Sequence, residues 1–356
     1  MINYNKILSK ISRKIKKLGN IKSFPNITKN GIWQTSEDGF WTGGFWIGLI
    51  WLMYKYTRQE EYLKLAYRWL EKLENRKNSK TFDLGFLFYP SFAKGFEITK
   101  DSKLKKIALN AADKLIELYN PNINFIHDLR EINEITYGTV IIDIMPNLKL
   151  LWWAYEKTKI KKYFKIANNH SKQTLRYLIR NDFSTYQALI FDITNFKIKN
   201  KLNFQGINNK SCWSRGQAWG ILGFIDAYNT TNNVRYLNTA KNLADYFLDH
   251  LPVDQIPYWD FKVKNSNETR DTSAATIASL ALLKIYEKIG EENYLNSTIT
   301  ILRRLTEEYL SAEDEDGILS EGCFHKPRGK GISESLIWGD FYYVEAIMKL
   351  LKINKN

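Results

Sequence analysis

Four stretches of the chain are apolar on nearly every side, and each precedes an amphipathic one. Residues 46–54 (WIGLIWLMY) lead into 61–66 (EYLKLA), 150–155 (LLWWAY) into 162–167 (KYFKIA), 219–224 (WGILGF) into 235–240 (RYLNTA), and 276–283 (TIASLALL) into 292–295 (ENYL). Two weaker copies complete the series. One runs from Phe86 through 104–118, and the other pairs 342–351 with the N-terminal helical stretch. A helix that is apolar all round cannot face water, so the second helices must enclose the first. Six such pairs predict an all-α fold, an (α/α)6 barrel of six helical hairpins with parallel inner helices. The drifting repeat length and long connections such as 181–211 favour a closed barrel over an open solenoid. Short strands are expected at 185–193 and 256–263, within loops. No linker interrupts the pattern, so residues 1–356 read as one domain.

Parallel inner helices place all their N-termini at one end, where unpaired backbone N–H groups and positive dipole ends converge. Asp38, Asp143, Ser214, Asp271 and Asp340 stand where these N-termini need caps, and Ser214 with Gln217 has capping-box spacing. Trp41, Trp213 and Trp219 fall at the same rim. Indole faces beside carboxylates and amides suit pyranose rings, which need stacking for their apolar face and hydrogen bonds for their hydroxyls.

Charge and composition narrow the picture. The formal net charge is +14, but the lysines are spread along the whole chain rather than gathered in a stripe, which argues against nucleic acid. The densest run, 6–17, is interleaved with Leu8, Ile11 and Ile15 at helical spacing and reads as a solvated helix face. Two cysteines, Cys212 and Cys323, lack any metal-ligand spacing, so neither a metal nor another cofactor is expected. No segment reaches the roughly 18 apolar residues of a membrane span, and the N-terminus lacks the apolar stretch of a signal peptide. The expected setting is cytoplasmic, unless a leader precedes the sequence, with no membrane partner and a monomer or homodimer as the assembly.

The segments 41–48 (WTGGFWIG), 83–86 (DLGF), 143–148 (DIMPNL), 212–220 (CWSRGQAWG), 271–275 (DTSAA) and 338–341 (WGDF) resemble, in order, those of glycoside hydrolase family 88, the unsaturated glucuronyl hydrolases. WSRGQAW is the most specific of them. The resemblance implies a metal-independent (α/α)6 barrel that removes a 4,5-unsaturated uronic acid from the non-reducing end of lyase-generated oligosaccharides. It also implies that Asp143 is the general acid/base, that Asp83 is the second acidic residue, and that Trp41, Gln205, Trp213, Arg215 and Trp219 line the sugar pocket. Gln217 joins them as an amide of the same segment.

The reacting bond in such substrates is an enol ether. Protonation at C4 by a carboxylic acid generates an oxocarbenium-like centre at C5, water adds there, and the hemiketal opens. Asp143 must then be protonated at the outset, and the charge of Asp83, together with burial among tryptophans, is expected to raise its pKa. Arg215 is expected to grip the substrate carboxylate through its guanidinium fork. One departure stands out: where the family commonly places a histidine, this chain has Gln187, which can bond a sugar hydroxyl but cannot titrate. Two other readings use the same fold, a non-catalytic glycan-binding barrel and a sugar epimerase. The second would want histidines facing the axis, and the sequence offers few.

Overall fold

A computed structural model describes residues 2–132, 135–265 and 267–354. Its fourteen helices are α1 (Tyr4–Leu18), α2 (Gly43–Thr57), α3 (Glu60–Leu73), α4 (Leu84–Phe88), α5 (Lys94–Thr99), α6 (Ser102–Glu117), α7 (Ile144–Asn147), α8 (Lys149–Thr158), α9 (Lys161–Tyr177), α10 (Ser214–Thr231), α11 (Val234–Asp249), α12 (Thr272–Ile289), α13 (Glu292–Glu308) and α14 (Ile337–Ile353). The inner ring runs α2, α4, α7 with α8, α10, α12 and α14, and α14 packs back onto α2, which closes the barrel. The outer helices α3, α6, α9, α11, α13 and α1 each bury one stripe, such as Leu8, Ile11, Ile15 and Leu18 of α1. By contrast α2 buries residues 43–53 without a break, as an enclosed helix must. None of the described helices is long and apolar enough to cross a membrane.

The second inner element is broken. Between α4 and α5 the backbone widens into a π-helical turn at Tyr89–Ala93 containing Pro90, and the Trp51 indole donates to the Ser91 carbonyl at 2.9 Å. Left-handed residues stop four other inner helices: Arg58 after α2, Lys159 after α8, Asn232 after α10 and Gly290 after α12.

Strands gather at the end where the inner helices begin. A hairpin of β1 (Phe24–Lys29) and β2 (Ile32–Ser36) comes first, and a minimal pair follows in β3 (Tyr119–Asn120) and β4 (Phe125–Ile126). Next is an antiparallel sheet of β5 (Asp128–Ile132), β6 (Ile135–Ile141), β7 (Ala188–Asp192) and β8 (Ile198–Leu202), paired in that order. A last hairpin, β9 (Gly322–His325) with β10 (Lys330–Glu334), packs beside β1. The expected strand at 185–193 is therefore β7. That at 256–263 is reduced to isolated bridges, Trp213 with Asp260 and Tyr258 with Arg270. The four-stranded sheet itself was not foreseen, because short strands from two distant segments carry no alternation long enough to read.

Two glycines separate packing from conformation as causes of stability. A Cβ on Gly85 would lie 2.1 Å from the Asn147 carbonyl oxygen, a backbone atom that cannot step aside, whereas Gly290 (φ +70°) has open space around it. Gly85→Ala should lower unfolding free energy by about 3 kcal/mol or more through overpacking, and Gly290→Ala by roughly 1 kcal/mol through the left-handed backbone alone. Urea unfolding of both variants measures the difference, and equal effects would refute the packing argument.

Candidate active site

Asp83 and Asp143 occupy equivalent places, each immediately before the first residue of an inner helix, α4 and α7. Neither side chain caps its helix. Asp83 bonds only the Thr81 hydroxyl, at 3.2 Å, and Oδ1 of Asp143 is buried without a partner. Asp271 shows the contrast: it caps α12 by accepting from the Ser273 and Ala274 N–H groups. The capping expectation thus holds for Asp271 and leaves the carboxyls of Asp83 and Asp143 free for chemistry. The other expected caps need correction. Asp38 bonds Phe40 and Arg76 while Thr42 precedes α2, and Asp340 lies inside α14, accepting from the Ile318 and Leu319 N–H groups. The residue preceding α10 is Trp213, so Ser214 forms no capping box and its hydroxyl is unpartnered.

Asn147 joins the two carboxylate-bearing turns. Its Nδ2 donates to the Asp143 carbonyl at 3.0 Å, and its Oδ1 accepts from the Phe86 N–H at 2.6 Å. With Gly85 against the Asn147 backbone, the start of α4 is held against α7. Asp143 also follows directly on β6, where the Ile142 N–H donates to the Gln187 carbonyl at 2.9 Å. That bond sets Gln187 beside the acid.

Burial, and then the charge of Asp143, push the Asp83 carboxyl up to about 7, against the Thr81 hydroxyl. Burial pushes Asp143 up to about 6, opposed by Arg215, by its own backbone and by Arg130. Both acids are raised, burial being the first cause for each, and Arg215 and Arg130 oppose the rise at Asp143. Their mutual repulsion disfavours two full charges on the pair near neutrality.

Arg215 is 2% exposed, and its guanidinium bonds the Asp271 carboxylate and the carbonyls of Cys323 and Phe324, the latter two at 2.6 Å each. It lies over the Trp213 ring at 4.5 Å. Three of its five N–H donors are therefore engaged within the protein, which fixes the guanidinium in place. Gln217 does need correction as a sugar contact: its amide is buried and donates to the Phe183 and Leu243 carbonyls, tying α10 to its surroundings. Gln187 and Gln205 do come together. Gln187 Nε2 donates to Gln205 Oε1 at 2.7 Å, the Gln205 N–H donates back to Gln187 Oε1 at 2.8 Å, and Gln205 Nε2 reaches the Phe324 carbonyl.

Trp41 is the partly exposed indole at this mouth, packed on Trp338 with centroids 4.7 Å apart and on Phe86 at 5.8 Å. Trp219 is 1% exposed and lies beneath, 5.1 Å from Phe86 and 5.5 Å from Tyr342. Trp213 is buried under Arg215. Of the three expected rim tryptophans, one borders the mouth and two support it. The sequence reading missed Asn147 and Arg130. The signal for Asn147 was its place four residues after Asp143, one helical turn away. Arg130, with its guanidinium over the Phe204 ring at 4.9 Å, had none. Among the described residues no three His, Cys, Asp or Glu side chains gather as a metal site.

The profile described as Glycosyl Hydrolase Family 88 matches residues 8–350. The chain belongs to that family. Its similarity to the unsaturated glucuronyl hydrolase of Bacillus sp. (strain GL1) is 33% identity, over 95% of this chain and 93% of the relative. A crystal structure of an unsaturated glucuronyl hydrolase specific for heparin superposes with a TM-score of 0.94 at 27% identity, covering 99% of this chain and 98% of that one. A variant of the Streptococcus agalactiae unsaturated glucuronyl hydrolase complexed with dGlcA-GalNAc6S superposes with a TM-score of 0.82 at 30% identity, covering 96% and 90%. The α/α barrel of this family 88 member is thus shared with enzymes solved with and without a sugar.

The raised acid has a consequence for stability. With its folded pKa above the unfolded value of 3.8, Asp83 favours the folded state at low pH and loses that contribution as pH rises towards about 7. Asp83→Asn should therefore unfold like the parent near pH 4 and exceed it by about 2 kcal/mol near pH 8. Denaturant titrations at the two values check the sign, and a gain confined to acid pH would contradict it.

Proposed function

We propose that this family 88 glycoside hydrolase protonates C4 of a terminal 4,5-unsaturated uronic acid from the proton shared by Asp83 and Asp143. The hydrolase activity on unsaturated uronides follows from the family. The residue roles are our reading, and one observation carries it: two carboxyls, free of capping duty and both raised, each precede one of two packed inner helices, and the charge of Asp143 acts on Asp83.

Asp143 is the group that delivers the proton, since its Oδ1 has no partner among the described residues. The proton resides on Asp143 at the moment of transfer, and the charge of the Asp83 carboxylate favours that protonated state by opposing a second ionisation. As C5 gains oxocarbenium character, the departing proton leaves Asp143 anionic, and that charge stabilises the adjacent cation. Asp143 then accepts a proton from the water that adds at C5, the acid and base roles falling to one group in sequence. The hemiketal so formed opens and releases the remaining sugar. Arg130 and Arg215 favour the ionised state of Asp143 after transfer. Arg130, on β5 and without an ion pair among the described residues, takes the role of meeting the substrate carboxylate, assisted by the helix-end dipoles. Trp41 offers the sugar its apolar face, and the Gln187–Gln205 pair offers hydroxyl partners without a titrating group.

Asp143→Asn should lower kcat by about 10²–10⁴-fold while keeping affinity for an unsaturated disaccharide. The assay is the loss of the ultraviolet absorbance of the conjugated double bond, and near-normal turnover would refute the assignment. In the parent enzyme kcat should fall as pH rises through about 6 to 7, where the pair loses its last proton. Arg130→Gln should raise KM about tenfold with a smaller change in kcat. A loss confined to kcat would instead make Arg130 a tuner of Asp143.

A further inference from the structure

The barrel has a second mouth. At the end where the inner helices finish, a cavity of about 950 Å³ runs inward to Phe45, Phe86, Phe341 and Tyr342. Phe45 and Phe86 also touch Trp41, at 6.2 and 5.8 Å between centroids. One aromatic layer therefore closes the catalytic cup on one side and floors this cavity on the other.

Eight basic side chains line the cavity against three acidic ones. Helix C-termini attract cations, so part of this excess is ordinary dipole compensation. Lys149 and Lys94 stand away from those C-termini, where α7 runs on into α8 and the π-helical turn runs on into α5. The carboxylates around them are shared, and Glu345 on the cavity wall acts on Lys94, Lys55 and Lys284 together. Asp226 is shared by Lys149 and Lys284, at 3.1 and 3.0 Å, and Glu97 by Lys94 and Lys157, at 3.9 and 3.4 Å. Lys55, which lines the same space, has no ion pair among the described residues. Partial burial first, and then Lys94, lower the pKa of Lys55, against Glu345 and Glu97. A further polar group awaits a partner: Oδ1 of Asn229, on the cavity wall, is buried and accepts no hydrogen bond.

Lysines in excess of their carboxylates call for an oxyanion, an unpaired amide oxygen calls for a hydroxyl, and an aromatic floor suits the apolar face of a sugar ring. We propose that the cavity at the C-terminal mouth of the barrel is a second ligand site, for a sugar carrying a phosphate or sulfate ester. The ester group sits among Lys94, Lys149 and Lys284, a ring hydroxyl donates to Asn229, and the ring lies against the Phe45–Tyr342 layer. The site is independent of the chemistry assigned to Asp83 and Asp143, so it stands or falls without that assignment.

Calorimetric titration of the full chain with glucose 6-phosphate, glucose 6-sulfate and glucose tests it. The expected result is saturable binding of an ester, with glucose itself at least about tenfold weaker. Whichever ester binds more tightly names the source. Lys149→Gln should weaken the ester about tenfold without changing steady-state hydrolysis of an unsaturated disaccharide, whereas Asp143→Asn should leave ester binding intact. Should Lys149→Gln fail to fold, Lys55→Gln combined with Lys352→Gln, both exposed, replaces it with the same expectation. No saturable binding at millimolar ester, equal binding of glucose, or binding indifferent to the lysines but lost in Asp143→Asn would overturn the proposal.

Discussion

The contact between the Gly85 and Asn147 backbones is the constraint on which the rest depends. It admits no side chain on Gly85, it holds the first turn of α4 against α7, and it thereby sets the two preceding aspartates side by side at the edge of a buried layer. Two carboxylates so placed cannot both ionise cheaply near neutrality. Their raised pKa values are a product of packing rather than of any specialised residue. Asn147 completes the arrangement by using both ends of its amide, one on the carbonyl of Asp143 and the other on the helix that Asp83 begins.

A second constraint keeps the mouth in shape. Arg215 and Asp271 form a buried ion pair whose remaining hydrogen bonds reach the Cys323 and Phe324 carbonyls, so α10, α12 and the β9–β10 hairpin are joined at one point. A buried charge left without its partner is strongly destabilising, so each member fixes the other. The guanidinium is thus structural first, and its field still reaches Asp143, drawing that carboxyl towards ionisation. Gln205, bonded to the same Phe324 carbonyl, ties the amide pair to this hub.

The two ends of the barrel are electrostatic opposites by construction. Inner helices that all point one way give an end rich in N–H groups, where the raised carboxyls of Asp83 and Asp143 lie, and an end rich in carbonyls, where lysines collect. The chain's net charge of +14, which as a bulk property suggested little, has part of its meaning at this second end.

The hairpin rhythm of the sequence determined the architecture, because a helix apolar on every side has only one stable place, inside a ring of others. Short motifs determined the family and singled out Asp83 and Asp143, whose spacing from their helices is local. What each side chain does with its hydrogen bonds was decided by tertiary structure. Ser214 and Gln217 have capping-box spacing, yet the amide goes to the distant carbonyls of Phe183 and Leu243. Arg215 is spaced to face a ligand, yet Asp271 arrives from 56 residues away to claim it. Arg130 comes to the mouth on a sheet assembled from segments some sixty residues apart along the chain. Periodicity reports which face of an element is buried, but the partner of a polar group is set by whichever distant backbone the fold brings within reach, and no local pattern encodes that.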